Sequence, residues 1–94
     1  MSDSIWRVDI VVLPKDGVSD PQGEAVKSGL ALLGIEGVTR IRVGRHLEVD
    51  ITAPNEAAAK IVAGQMAEQL LANLVIEQFR IETVRNLGSI EGQS

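Results

Sequence analysis

The chain carries one histidine, His46, no cysteine, and nine lysines and arginines against thirteen carboxylates. Any chemistry must be built from that set. His46 follows Gly44-Arg45 and has no nucleophile or orienting carboxylate at a spacing that makes a relay, so it reads as a loop residue. Without cysteine there is no thiolate nucleophile, no disulfide and no Cys-ligated zinc or copper. Gly-rich phosphate cradles and nucleophile elbows are absent as well. An acylphosphatase-type site needs an arginine in the loop after the first strand. That loop offers Lys15, and the next arginine is Arg40. No catalytic residue and no metal ligand set is assigned.

What remains is chemistry of contact. The stretch Pro14-Lys15-Asp16-Gly17-Val18-Ser19-Asp20-Pro21-Gln22-Gly23-Glu24-Ala25-Val26 turns an apolar run into a helix. Pro14 ends the run by removing a ladder donor. Gly17 permits positive φ in the loop. Asp20 stands where an N-cap belongs, and Pro21 follows at the first helical position, where its missing N–H costs nothing. Gly23 is the odd residue. Alanine in that first turn would be about 1 kcal/mol better, so something must come close to its backbone. Either the helix packs tightly on its own sheet there, or the corner is a docking surface. With Lys15, Gly17, Asp20, Pro21, Gln22 and Gly23 from this stretch, the candidate interface residues include Arg42, Gly44, Arg45 and Asn73.

The elements that must position them follow from periodicity. Residues 5–13 alternate as a strand, with Trp6, Val8, Ile10 and Val12 on one face and Arg7, Asp9, Val11 and Leu13 on the other. A helix from Asp20 to about Leu33 places Val26, Leu30 and Leu33 on one stripe, with Gly34 as its C′ residue. Two strands then pair if Gly44-Arg45-His46 is a three-residue hairpin loop. Val43 faces Leu47, Ile41 faces Val49, Thr39 faces Ile51, Arg42 faces Glu48 and Arg40 faces Asp50. A second helix begins at Asn55 as N-cap, carries Ala58, Ile61, Val62, Met66 and Leu70 as its apolar stripe, and ends at Asn73 in the left-handed conformation. Gly64 within it is a weak spot or a close-packing site. Ile76 to Val84 is the last strand, with Phe79, Ile81 and Thr83 on one face and Arg80 and Glu82 on the other.

The order β-α-β-β-α-β predicts an α+β, ferredoxin-like antiparallel sheet with two helices on one face. Residues 1–85 form one domain and 86–94 a flexible C-terminal tail. The uncovered sheet face mixes charges (Arg40, Arg42, Glu48, Asp50, Arg80, Glu82) with Val11, Leu13 and Val84, which favours self-association. A net charge of −4 and only two aromatics, Trp6 and Phe79, argue against a nucleic-acid partner. The start Met1-Ser2-Asp3-Ser4 is acidic and leads into no signal-peptide pattern, and the apolar runs fall far short of the ~20 residues a bilayer span needs. A cytoplasmic protein without a membrane partner is expected.

Three phrases together carry a family resemblance: Leu13-Pro14-Lys15-x-Gly17-Val18-x-Asp20-Pro21-Gln22-Gly23-x-Ala25-Val26, Val38-x-x-Ile41-Arg42-Val43-Gly44-Arg45, and Leu70-Leu71-Ala72-Asn73-x-Val75-Ile76-Glu77. Over roughly residues 5 to 84 the chain resembles the PurS family, the small subunit of phosphoribosylformylglycinamidine synthase in purine biosynthesis. It departs from the family pattern at Leu74, where proline is usual. The resemblance implies a non-catalytic dimer or higher oligomer that bridges a glutaminase and a large synthetase subunit. Glutamine and ATP would be used by those partners, with no cofactor in this chain. The competing reading is an ACT-like ligand-sensing module of the same element order, which binds amino acids near the loop after its first strand. Such a module binds its ligand alone; an assembly subunit does not.

Overall fold

A computed structural model of the chain describes residues 3–89. Strand β1 (Ser4–Pro14) lies at the centre of an antiparallel sheet, flanked by β2 (Arg45–Ala53) and β3 (Glu77–Ser89), in the order β2-β1-β3. Helices α1 (Pro21–Leu32) and α2 (Glu56–Met66) connect them, and α2 runs on into a π-helical turn, Ala67–Leu71. The antiparallel α+β, ferredoxin-like arrangement agrees with the expectation, with three strands among the described residues where four were expected.

The core is built on one face of β1. Val8, Ile10 and Val12 are fully buried, and Ile51 and Ala53 of β2 lie beside them. The covering surface is an alanine stripe, Ala59, Ala63 and Ala67, at the four-residue spacing of one helix face. This differs from the expected stripe. Ala58 and Met66 pack only at its margin, whereas Ile61, Val62 and Leu70 are exposed. Small side chains let the helix backbone come close to the pleat, so the bulky residues are turned outward. Gly64 faces open space and is no packing site.

The hairpin expected between residues 39–43 and 47–51 does not form as a ladder. Arg45 and His46 begin β2 instead of forming a loop, and β2 pairs with β1: Leu47 opposite Ile10, Val49 opposite Val8, Ile51 opposite Trp6. The rule used to find the register holds with a different arginine. Arg7 of β1, rather than Arg40 or Arg42, lies between Glu48 and Asp50, at 3.2 and 2.9 Å. Residues 38–44 run outside the sheet and leave the far edge of β2 open.

Strand β3 is longer and less regular than its alternation implies. Register shifts fall between Ile5 and Trp6 and between Asp9 and Ile10. The second puts Thr83 opposite Asp9 on the open face and Val84 opposite Val8 on the core face, reversing both expectations. Asn86–Ser89, assigned to the tail, are strand; residues 90–94 of that tail lie outside the described residues.

Helix α1 is capped at both ends as expected. Asp20 accepts from Gly23 N–H at 3.1 Å. At the other end Gly34 (φ +81°) donates to Ala31 and Ile35 donates to Leu30, the two bonds of a Schellman motif. Yet within α1 only Gly23 is buried. Val26, Leu32 and Leu33 are exposed, so α1 does not share the coverage of the sheet with α2. The radius of gyration of 17.6 Å reflects this; a compact chain of this length has about 12 Å.

Candidate functional site

The candidate residues gather at one end of the sheet, where β1 ends, β2 and β3 begin, and α1 starts. Asp20 is the hub. Its second carboxylate oxygen accepts from Val43 N–H at 3.0 Å, and its backbone carbonyl accepts from Glu24 N–H at 3.0 Å. One side chain therefore caps α1 and holds the 38–44 strap against it.

Three further side chains fasten that strap. Lys27 Nζ donates to the carbonyl of Thr39 at 3.0 Å, Arg42 donates to the carbonyl of Pro14 at 3.2 Å, and Arg40 pairs with Asp16. Arg42 also comes within 3.8 Å of Asp16. The strap backbone itself comes very close. A β-carbon on Gly23 would lie 2.2 Å from the Ile41 carbonyl oxygen and 2.5 Å from the Asp20 carboxylate. One on Gly44 would lie 2.0 Å from the Val12 carbonyl oxygen. The contact that excludes a side chain at Gly23 therefore comes from the chain's own strap. It is not the sheet: the Ile41 carbonyl of the strap and the Asp20 cap fill the space beside Gly23.

Arg45 and Asn73 are likewise committed internally. Arg45 forks onto Glu77 at 3.0 and 3.1 Å and donates to the Leu71 carbonyl at 2.7 Å. Asn73 N–H donates to Glu77 Oε1 at 2.8 Å, and its side-chain oxygen accepts from Val75 N–H at 3.2 Å. Arg45 first, then the Asn73 N–H, hold the Glu77 carboxyl below the ordinary range. Asn73 does not take the left-handed conformation expected of it, since among the described residues only glycines have positive φ; it makes an Asx turn after the helix has ended. Lys15 Nζ donates to the carbonyl of Leu74 at 2.5 Å. Proline would keep that carbonyl, so Leu74 preserves the contact.

Of the remaining candidates, Gly17 has φ +81°, Pro21 is at N1, and Gln22 is exposed. Between the loop and the strap lies a cavity of about 180 Å³, lined by Pro14, Asp16, Gly17, Glu24, Arg40 and Arg42 among others. Asp16, Glu24 and Arg40 are not among the residues expected at the site from sequence. Their signal was available only through the strap, which brings position 40 back to position 16.

The open face of the sheet has a second polar cluster, also unforeseen. Asp9 is 2.9 Å from His46 Nε2 and accepts from Thr83. The threonine, then the histidine, hold its carboxyl below the usual range, as Arg7 does for Asp50. Both His46 and Thr83 point at the same carboxylate, so no threonine is activated by the histidine. Among the described residues no group of three or more His, Asp or Glu side chains forms a metal site.

The family model described as Phosphoribosylformylglycinamidine (FGAM) synthase, PurS, matches residues 7–85. The chain belongs to the PurS family. It is 42% identical to the Synechocystis phosphoribosylformylglycinamidine synthase subunit PurS over 85 residues, covering 90% of this chain and 85% of the relative. Thermus thermophilus PurS superposes with a TM-score of 0.78 at 36% identity, over 88% of this chain and 98% of that one. A chain of the Thermotoga maritima PurLQS structure superposes with a TM-score of 0.74 at 28% identity, over 88% and 98% of the two chains.

Proposed function

We propose that this protein is the assembly subunit of phosphoribosylformylglycinamidine synthase in purine biosynthesis. It joins a large synthetase subunit and a glutaminase, as the PurLQS name of the Thermotoga maritima relative suggests. On this reading the partners handle ATP, glutamine and formylglycinamide ribonucleotide, and the chain brings them into one cytoplasmic complex without a cofactor of its own.

The observation that carries the proposal is the pair of helices with uncovered apolar faces. On α1 and just beyond it, Leu32, Leu33 and Ile35 are 89, 77 and 48% exposed; beside α2, Ile61, Leu70 and Val75 are 63, 84 and 81% exposed. Exposed apolar area on this scale in a small chain marks contact surfaces. Among the described residues β2 also has an unpaired outer edge. We assign one of these surfaces to a second copy of the chain and another to the synthetase.

Sedimentation and co-purification test this. The wild-type chain is expected to sediment as a dimer or larger at tens of micromolar, a rough working range for weak association, and to restore glutamine-dependent amidine formation to the two partners. Leu33→Asp or Leu70→Asp should break one association while leaving the fold intact. A monomeric chain without which the complex assembles and turns over at the full rate would refute the proposal.

A further inference from the structure

The cavity between the first loop and the strap has a balanced set of charges. Lys15, Arg40 and Arg42 line it on one side of the count, Asp16, Asp20 and Glu24 on the other. Three of the six already hold backbone groups: Asp20 the N–H groups of Gly23 and Val43, Lys15 the Leu74 carbonyl, and Arg42 the Pro14 carbonyl through one of its nitrogens. Arg40, Asp16, Glu24 and the other N–H groups of Arg42 remain. Arg40 is paired with Asp16, with side chains 57 and 76% exposed, while the Glu24 side chain has no hydrogen-bond or ion-pair partner among the described residues.

A lining with no net charge disfavours a phosphate or a bare cation, because each meets as many like charges as opposite ones. It favours a neutral molecule whose own charges are separated. The size points the same way. A space of about 180 Å³ holds on the order of a dozen water-sized atoms, the size of one free amino acid. Nor is the existing Arg40–Asp16 pair an obstacle, since an exposed pair of this kind contributes little and exchanges readily. The Asp16 side chain is largely exposed, so its carboxylate can turn into solvent without crossing packed atoms.

We propose that this cavity binds a small zwitterionic α-amino acid. The ligand carboxylate takes the place of Asp16 on Arg40 and Arg42, and its ammonium is received by Glu24 and the displaced Asp16. This site is separate from the apolar helix faces used in assembly, and binding here would give the subunit a small-molecule ligand that an assembly role by itself does not require.

The test is an NMR or calorimetric titration of the full chain. The probes are glutamine, glutamate and glycine, with succinate as a carboxylate lacking an amine and butylamine as the reverse. At least one amino acid should give saturable binding with shifts at residues 16–24 and 40–42, while succinate and butylamine give none. Glu24→Gln removes one charged hydrogen bond and should weaken binding about tenfold or more, with melting and self-association unchanged; Arg40→Gln should weaken binding as much, with a slightly lower melting temperature because Arg40 also fastens the strap. No saturable binding up to about 10 mM, far weaker than a specific small-molecule site, would overturn the proposal. So would succinate binding as well as the amino acids, or affinity indifferent to both substitutions.

Discussion

Replacing Gly23 with alanine sets two physical effects of opposite sign against each other. Alanine favours the helix by at most about 1 kcal/mol. Its methyl, however, would stand 2.2 Å from the Ile41 carbonyl oxygen and 2.5 Å from the Asp20 carboxylate. If Asp20 swings away, the N-cap is lost, at about 1 kcal/mol. The Val43 N–H then loses its acceptor, at about another 1 kcal/mol. Moving Asp20 does not relieve the Ile41 contact, because that atom is backbone; shifting the strap costs about 1–3 kcal/mol as overpacking. The net expectation is a loss of about 2–4 kcal/mol, or a fall in Tm of at least roughly 8 °C for a domain of this size. Circular dichroism melts at matched concentration measure it. Gly29→Ala, in the same helix with no atom within 4 Å of the added methyl, is the control, expected to melt slightly higher. A Gly23→Ala protein melting at or above wild type would refute the reasoning and return Gly23 to the docking surface.

Gly44→Ala should lose at least as much stability, since its methyl would meet the Val12 carbonyl oxygen at 2.0 Å with Leu13 close behind; a denaturant midpoint as high as wild type would contradict this. Gly64→Ala should gain about 1 kcal/mol, because the helix position opens onto empty space; a lower urea midpoint would show that space to be filled. Asp9, Asp50 and Glu77 all titrate lower in the folded chain than they ordinarily do. The unfolded chain therefore takes up protons first on acidification. The stabilisation is complete above roughly pH 5 and is lost as pH falls below about 4. Urea midpoints measured against pH should decline on that limb, less steeply in Glu77→Gln, and a flat profile down to about pH 3 would count against these pairs.

Local signals in the sequence were read correctly where one residue determines the outcome. Asp20 and Asn55 cap their helices as their types and positions indicate, and Asn55 accepts from Ala58 N–H at 2.8 Å. Gly34 ends α1, and the buried face of β1 follows strict alternation. What escaped the reading depends on pairs of distant positions. The register shift opposite Asp9 has no marker in residues 77–84, yet it exchanges the faces of Thr83 and Val84. The 39–43 segment has good strand alternation and complementary charges. Arg7 on β1 was an equal claimant for Glu48 and Asp50, and Asp20 and Lys27 tie the segment elsewhere. On α2 the large apolar residues pointed to the wrong face, because hydrophobicity alone does not reveal that the sheet demands small side chains. At the candidate site, the contacts that Gly23, Gly44 and Arg42 make with or from the strap, and the charges that line the cavity, could be found only after the strap was placed.

The isolation of α1 from the core bears on how the chain acquires its structure. The sheet and α2 bury a continuous apolar core, whereas α1 buries one glycine and is moored through Asp20 and the strap. A twelve-residue helix with so little packing is marginal by itself in water. The turns of α1 beyond its anchored first turn should then fray, and their amides should exchange with solvent through openings cheaper than global unfolding. Their protection would rise on assembly, with the helix acquiring most of its order from the molecule that covers it. Folding of α1 and recruitment of a partner thereby become one thermodynamic event, so the apolar stripe is fully ordered only once it is also concealed.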